Sequence, residues 1–250
     1  MLNRMYKKGL YTIVENRPLT AAVWRMVLAG DTQYIVRPGQ FIDIAIDGLF
    51  LRRPISVCDW DDSTVTIIYK MVGKGTEAMS HMAPGSVLDC LTWLGNGFAT
   101  GDGSQSPLLV GGGVGVPPLY NLCKRLTAEG RRPTVVMGFS TAGEIFYREE
   151  FEKLGVDVHV ATADGSLGVR GLVTDAIDAA AAGFDYIYAC GPVPMLRALY
   201  DRYDVPGQFS FEERMGCGFG ACMGCSCKTK YGNKRICVDG PVLKREEIIW

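Results

Sequence analysis

The sequence predicts a six-stranded antiparallel β barrel, then a Rossmann-like α/β unit with a parallel sheet, then a small cysteine-rich C-terminal segment. Three observations carry this. Short alternating apolar segments fill the chain up to residue 102, strands alternate with helical stretches from residue 103, and cysteines and glycines crowd together beyond Val205-Pro206-Gly207. The expected units are therefore 1–102, 103–205 and 206–250. A chain of 250 residues, 48% hydrophobic and 21% charged, is long enough for two modest domains and an appendage.

In the first unit, strands are expected at 9–16, 20–29, 40–46, 53–58, 64–71 and 86–93. Turn chemistry such as Arg37-Pro38-Gly39 and Asp61-Asp62-Ser63 separates them. Gly75-Thr76 opens a short helix, Glu77 to Met82. In the second unit, Leu108 to Val110 lead into a helix that starts at Pro117-Pro118, carries Leu119, Leu122, Cys123 and Leu126 on one face and stops before Gly130. Strands at Thr134 to Phe139, Val156 to Ala161 and Asp185 to Cys190 alternate with helices at 143–154, 171–182 and 194–203. That rhythm requires parallel strands with crossover helices.

Cys217, Cys222, Cys225 and Cys237 stand in the spacing C-x4-C-x2-C-x11-C, the plant-type pattern for a [2Fe–2S] cluster. A loop of three close thiolates wraps one side of the small inorganic core, and a distant fourth closes it. Gly216, Gly218, Gly220 and Gly224 suit that wrapping, since they reach backbone angles that other residues avoid and let amides approach sulfur. A structural zinc site or a disulfide pair is the alternative. Zinc knots, however, present two short Cys or Cys/His pairs, whereas here the far side offers one cysteine and no nearby histidine. Cys227 reads as a spectator thiol or an alternative ligand, and Cys58, Cys90 and Cys123 read as small core hydrophobes.

Two further turns can hold phosphate. Gly111 to Pro118 follow a strand and open a helix, so Gly113 and Gly115 would let backbone approach an anion at the helix N-terminus. Pro118 stands where the last glycine of G-x-G-x-x-G would be, and a plain tight turn is the bland alternative. Cys190-Gly191-Pro192 follows another strand and also opens a helix, at the carboxyl edge of the same sheet where ligands bind in open α/β folds. Cys190 reads equally as a buried strand-end thiol. In the barrel, Arg53 can pair with phosphate and Ser56 can meet a polar ring edge, with a solvated strand face as the bland alternative.

A net charge of −1 carries no nucleic-acid signature. Nine cysteines fit a reducing compartment, the N-terminal stretch MLNRMYKKGLYTIVENRP has no apolar h-region, and no apolar run approaches the length of a membrane span. The expected location is the cytoplasm. Neither His81 nor His159 has a plausible nucleophile or carboxylate partner, so no catalytic side chain is expected. Trp250 reads as packing, an interface anchor or a cofactor cap.

The order R-P-x-S, G-x-G-x-x-P and C-G-P-x-x-M resembles the ferredoxin–NADP reductase superfamily. The added cysteine segment, with the phrases RRPIS, GKGT, GNGF, CGP, FEERMGCGFGAC and VDGPV, resembles the electron-transfer subunits of bacterial NAD-dependent (class 1B) dihydroorotate dehydrogenases over essentially the whole chain. The resemblance implies FAD contacts at Arg53, Pro54, Ile55, Ser56, Ile68, Tyr69, Lys70, Gly75 and Thr76, and cluster ligands at Cys217, Cys222, Cys225 and Cys237. The Lys228 to Lys234 loop is shorter than the family pattern. It further implies NAD at the Gly113, Gly115, Cys190, Gly191 and Pro192 turns, and an FMN-containing dihydroorotate dehydrogenase catalytic subunit as partner in a two-plus-two heterotetramer for pyrimidine biosynthesis. Phe139-Ser140-Thr141 lacks an arginine to welcome a 2′-phosphate, which favours NAD over NADP. Reductase subunits of an electron-bifurcating transhydrogenase, a sulfide dehydrogenase or an oxygenase system stay open, as does a zinc-stabilised binding module.

Overall fold

The computed structural model describes residues 6–250; the first five, part of the N-terminal stretch read above as lacking a leader, lie outside the described residues. Six strands close into an antiparallel barrel: β1 (Lys7–Pro18), β2 (Val23–Ala29), β3 (Phe41–Ile44), β4 (Arg53–Trp60), β5 (Thr64–Lys70) and β6 (Val87–Leu94), in the spatial order β1-β2-β5-β4-β3-β6. The alternation that marks these strands in the sequence is what closes the barrel. Tyr11, Ile13, Met26, Leu28, Ile42, Ile44, Val65 and Ile67 all point to one interior, each contributing roughly 1.5–3 kcal/mol by leaving water. A short helix, α1 (Lys74–Ser80), bridges β5 to β6, so Gly75 and Thr76 lie in its first turn.

A seven-stranded sheet follows. Its members are β7 (Pro107–Gly112), β8 (Thr134–Phe139), β9 (Asp157–Thr162), β10 (Val169–Arg170), β11 (Tyr186–Cys190), β12 (Gly207–Ser210) and, beyond the cysteines, β15 (Val242–Lys244). The order is β10-β9-β8-β7-β11-β12-β15, parallel throughout except for β15, which runs antiparallel to β12. The crossover helices are α2 (Pro118–Ala128), α3 (Arg148–Glu152), α4 (Val173–Ala180) and α5 (Val193–Arg202). A hairpin, β13 (Ser226–Thr229) and β14 (Gly232–Arg235), lies between β12 and β15.

Two of the differences from the sequence expectation bear on the site. The helix expected over 143–154 is only a 3-10 turn, Ala142–Glu144, and the short α3. Ile145, Phe146 and Tyr147 are consecutive and cannot share one helical face. The chain breaks at Tyr147, with φ +64°, and sets these rings edge-on against Phe139 and Tyr120 at 5.5 and 5.3 Å. The second difference is that the cysteine segment does not stand apart from the preceding unit, because β12 and β15 complete the nucleotide-type sheet. Among the described residues, no helix is long and apolar enough to cross a membrane.

Candidate functional site

Strands β4 and β5 pair from Val57↔Ile67 toward Trp60↔Val65 and part on the other side of Val57. Arg53 to Ser56 therefore pair with β3 alone, and Ile68 to Lys70 with β2 alone, which leaves a mouth between the two predicted flavin-binding segments. Ile55 packs toward the barrel core, so by the strand period Pro54 and Ser56 share the outer face. The Arg53 guanidinium crosses directly over Gly75: a Cβ there would lie 2.7 Å from its Cζ. Thr76 donates its hydroxyl to the Gly73 carbonyl (3.1 Å) and accepts from the Val72 amide (3.0 Å), fixing the turn beneath that cation. Tyr69 donates to Asn16 Oδ1 at 3.0 Å from a ring only 1% exposed, and Ile68 is buried. Both side chains serve the core, and only their main chain reaches the mouth.

Lys70 opens onto a cleft of about 620 Å³ between barrel and sheet. Its walls include Gly112–Gly115 after β7, Gly138–Ser140 at the end of β8, and Gly191–Pro192 after β11. These are the carboxyl ends of three adjacent parallel strands, where an open α/β sheet places its ligand. The Gly115 and Cys190–Gly191 backbones touch: a Cβ at Gly115 would lie 2.5 Å from the Cys190 carbonyl carbon and 2.7 Å from the Gly191 nitrogen. Glycine is needed there because the two turns must meet. Gly113, at φ +52°, has open space around it.

Cys190 itself is not part of the wall. Its thiol is buried and burial pushes it up to about 12, with Glu212 adding to the shift and a hydrogen bond with Ser210 opposing it. Among the charged wall residues, Glu144 and Glu212 escape the sequence reading. The protein packed around Glu212 raises its carboxyl above the usual range. Lys70 is the one cation among the cleft's wall residues, and no arginine is there to hold a 2′-phosphate.

The four predicted ligand cysteines converge in one loop. Amides of Ala221 and Cys222 point at Cys217 Sγ, at 3.2 and 3.4 Å, and the Cys237 amide at Cys225 Sγ, at 3.4 Å. Partial burial resists ionisation of Cys217, yet the amides of Cys222, Phe219 and Ala221 bring its thiol down to about 7. Gly218 and Gly220, at φ +76° and +93°, supply the left-handed turns that aim these amides. The short Lys228 to Lys234 loop is the β13–β14 hairpin, whose closure returns the chain so that the Ile236 amide meets the Cys225 carbonyl at 3.0 Å. Cys227 packs partly against the core beneath and leaves the loop.

The donor set fits a two-metal core better than a single ion. The thiols approach in two pairs, Cys217 with Cys222 and Cys225 with Cys237. All nine cysteines are free thiols.

Residues 212–249 match the iron–sulfur cluster binding domain of dihydroorotate dehydrogenase B, and residues 109–201 match the oxidoreductase NAD-binding domain. The chain is 42% identical to the dihydroorotate dehydrogenase B (NAD(+)) electron transfer subunit of Bacillus mycoides, over 98% of this chain and 100% of that one. It is 45% identical to the same subunit of Bacillus caldolyticus, over 95% and 97%. The chain belongs to the family of dihydroorotate dehydrogenase B electron transfer subunits. Among solved structures, the family fold extends to an NADH-dependent reduced ferredoxin–NADP oxidoreductase studied for flavin-based electron bifurcation. That structure has a TM-score of 0.87 at 31% identity, covering 97% of this chain and 90% of that one. The ferredoxin reductase of carbazole 1,9a-dioxygenase shares the fold, with a TM-score of 0.67 at 24% identity over 78% and 64%.

Proposed function

We propose that this chain carries electrons from a partner FMN-containing dihydroorotate dehydrogenase subunit through a [2Fe–2S] cluster and FAD to NAD⁺, as the electron-transfer subunit of an NAD-dependent oxidoreductase that makes orotate for pyrimidine biosynthesis. The carrying observation is that the mouth between Arg53–Ser56 and Ile68–Lys70, the cleft that Lys70 shares with the Gly112–Gly115 and Gly191–Pro192 turns, and the cysteine loop over Asp43 all border one barrel. Bound, the flavin and the cluster supply the redox chemistry, exchanging hydride with nicotinamide and single electrons with the partner.

The protein's part is binding, orientation and field. Arg53 takes the FAD phosphates over the Gly75–Thr76 turn, while Pro54, Ser56 and the main chain of Ile68 to Lys70 hold the ring system. Gly113, Gly115, Gly191 and Pro192 admit NAD to the cleft, and the absence of an arginine from its walls favours NAD over NADP. Cys217, Cys222, Cys225 and Cys237 would hold the cluster, and no side chain need shuttle protons. The three units, 1–102, 103–205 and 206–250, bind FAD, NAD and the cluster, with the last sewn into the sheet of the second by β12 and β15. We place the complex in the cytoplasm as two copies each of this chain and the catalytic chain, a location that free thiols support.

Co-purification with an FMN-containing dihydroorotate dehydrogenase subunit, followed by an orotate assay with NAD⁺, tests the reading. NAD⁺-dependent orotate formation by the mixture alone is the expected result. A preparation that oxidises NADH together with reduced ferredoxin to reduce NADP⁺, with no orotate formed, overturns it in favour of the bifurcating assembly that the 31%-identical structure represents.

A further inference from the structure

Strand β3 reads Phe41-Ile42-Asp43-Ile44 and is buried along its length. Ile42 and Ile44 belong to the barrel core, while Phe41 packs with Cys225, Ile236 and Cys237. The strand period therefore puts Asp43 on the outer face, under the cluster loop. Its contact there is specific. A Cβ on Gly218, the residue after Cys217, would collide with Asp43 Oδ2 and lie 3.2 Å from its Cγ. Across the ladder Asp43 is registered with Pro54, on the strand assigned to flavin. The carboxylate thus stands between the two redox sites.

It also stands without a partner. Asp43 is 2% exposed, and its Oδ1 is buried with no hydrogen bond. The nearest cations are engaged elsewhere. Arg52 bonds the Asp89 carboxylate at 2.8 Å and the main-chain oxygens of Asp89 and Asp43 at 2.9 and 3.2 Å, while Arg53 bonds the carbonyls of Leu51 and Arg52. A buried carboxyl group lacking a partner is expensive to keep, and barrel stability offers no reason to keep it. Burial pushes it up to about 7, against the pull of Arg52 and Arg53.

We propose that Asp43 is a positioning residue that sets the reduction potential of the centre held by the cysteine loop, and with it the direction of electron flow between that centre and the flavin. This rests on the cluster assignment above. A carboxylate this close opposes each electron added to the loop's centre, holding its potential down; the step moves one electron and makes or breaks no bond. At an effective dielectric of about 20, a unit charge within about 10 Å shifts a one-electron equilibrium by roughly tenfold or more.

The test is an EPR-monitored redox titration of the assembled complex at pH 9, comparing wild type with Asp43→Asn and Asp43→Ser. Iron content and the line shape of the reduced centre report whether the loop is intact. Both neutral variants are expected to raise the midpoint by at least tenfold in the one-electron equilibrium, about 59 mV, while the flavin midpoint moves less. An unchanged midpoint in variants that retain the centre overturns the proposal, as does a shift in one variant only when both retain it. If only one variant retains the centre, its midpoint decides. Loss of the centre from both assigns Asp43 a structural role and also overturns it. A wild-type complex with no reduced-centre signal instead sinks the functional reading itself.

Discussion

Gly115 offers the sharpest test of the nucleotide cleft. Adding one methyl, Gly115→Ala, places carbon 2.5 Å from the Cys190 carbonyl carbon and 2.7 Å from the Gly191 nitrogen, and all of the obstructing atoms are backbone. Ordinary contact begins near 3.4 Å, so the turns after β7 and β11 must separate by about 1 Å. Overpacking of this kind costs about 1–3 kcal/mol, which for a chain of this size lowers Tm by roughly 2–12 °C. A misplacement of about 1 Å between reacting groups can cost on the order of 100-fold in rate. Stopped-flow reduction of the bound flavin by NADH reads the rate, and a thermal melt reads the stability. Gly130→Ala is the control, since it lies outside the cleft, meets nothing within 4 Å and carries only the left-handed backbone penalty of about 1–2 kcal/mol. Equal rates in the two variants would refute the claim that the Gly115–Gly191 contact shapes the cleft.

Arg53→Ala removes the cation over Gly75 and is expected to weaken FAD retention about 10- to 150-fold, from the roughly 1.5–3 kcal/mol of a charged hydrogen bond, measured as flavin absorbance after gel filtration. Cys237→Ser is expected to abolish the cluster while Cys227→Ser keeps it, and iron and sulfide analysis of the two separates ligand from spectator. Burial raises Cys90, Cys123 and Cys190 to about 12, and raises Cys58 in the same direction. A folded value above the unfolded one means that this stability is complete below the unfolded thiol value of ~8.5 and is lost as pH rises from there toward 12. Urea melts are therefore expected to lose roughly 1.4 kcal/mol per thiol by about pH 9.5, with Cys123→Ala recovering one share; a pH-independent midpoint would contradict it.

The parts of the fold legible in the sequence are those whose cause is local. Tyr11 and Ile13 alternate with exposed neighbours, and Leu119, Leu122, Cys123 and Leu126 recur at the helical period. Pro118 begins α2, and Gly130 at φ +79° follows its end. The C-x4-C-x2-C spacing likewise writes the loop directly into the sequence. What escapes is long-range. Strand β15 has three residues and exists only because Phe209 finds Leu243 across the whole cysteine loop. Tyr147 interrupts the expected helix because its ring and that of Phe146 find partners in the core. Asp43 looks like a solvated acid in sequence, and only folding closes a glycine loop over it.

The attachment of the cysteine segment explains why it carries so little regular structure of its own. Its return limb is clamped to the barrel through Asn96, whose amide side chain donates to the Asp239 and Val242 carbonyls at 3.2 and 2.7 Å and accepts from the Val242 amide at 3.1 Å. Gly95 lets Pro241 close over the same corner, since a Cβ would lie 2.8 Å from the proline ring. On the other side β15 locks the segment to β12, and Arg235 ties the loop internally through Gly220 and Asp239. A loop of glycines and thiols with few apolar residues could not bury enough surface to hold one conformation alone. Borrowed rigidity from both the barrel and the sheet fixes it relative to the flavin mouth and the nucleotide cleft at once. An electron carrier requires that constancy of separation between its sites.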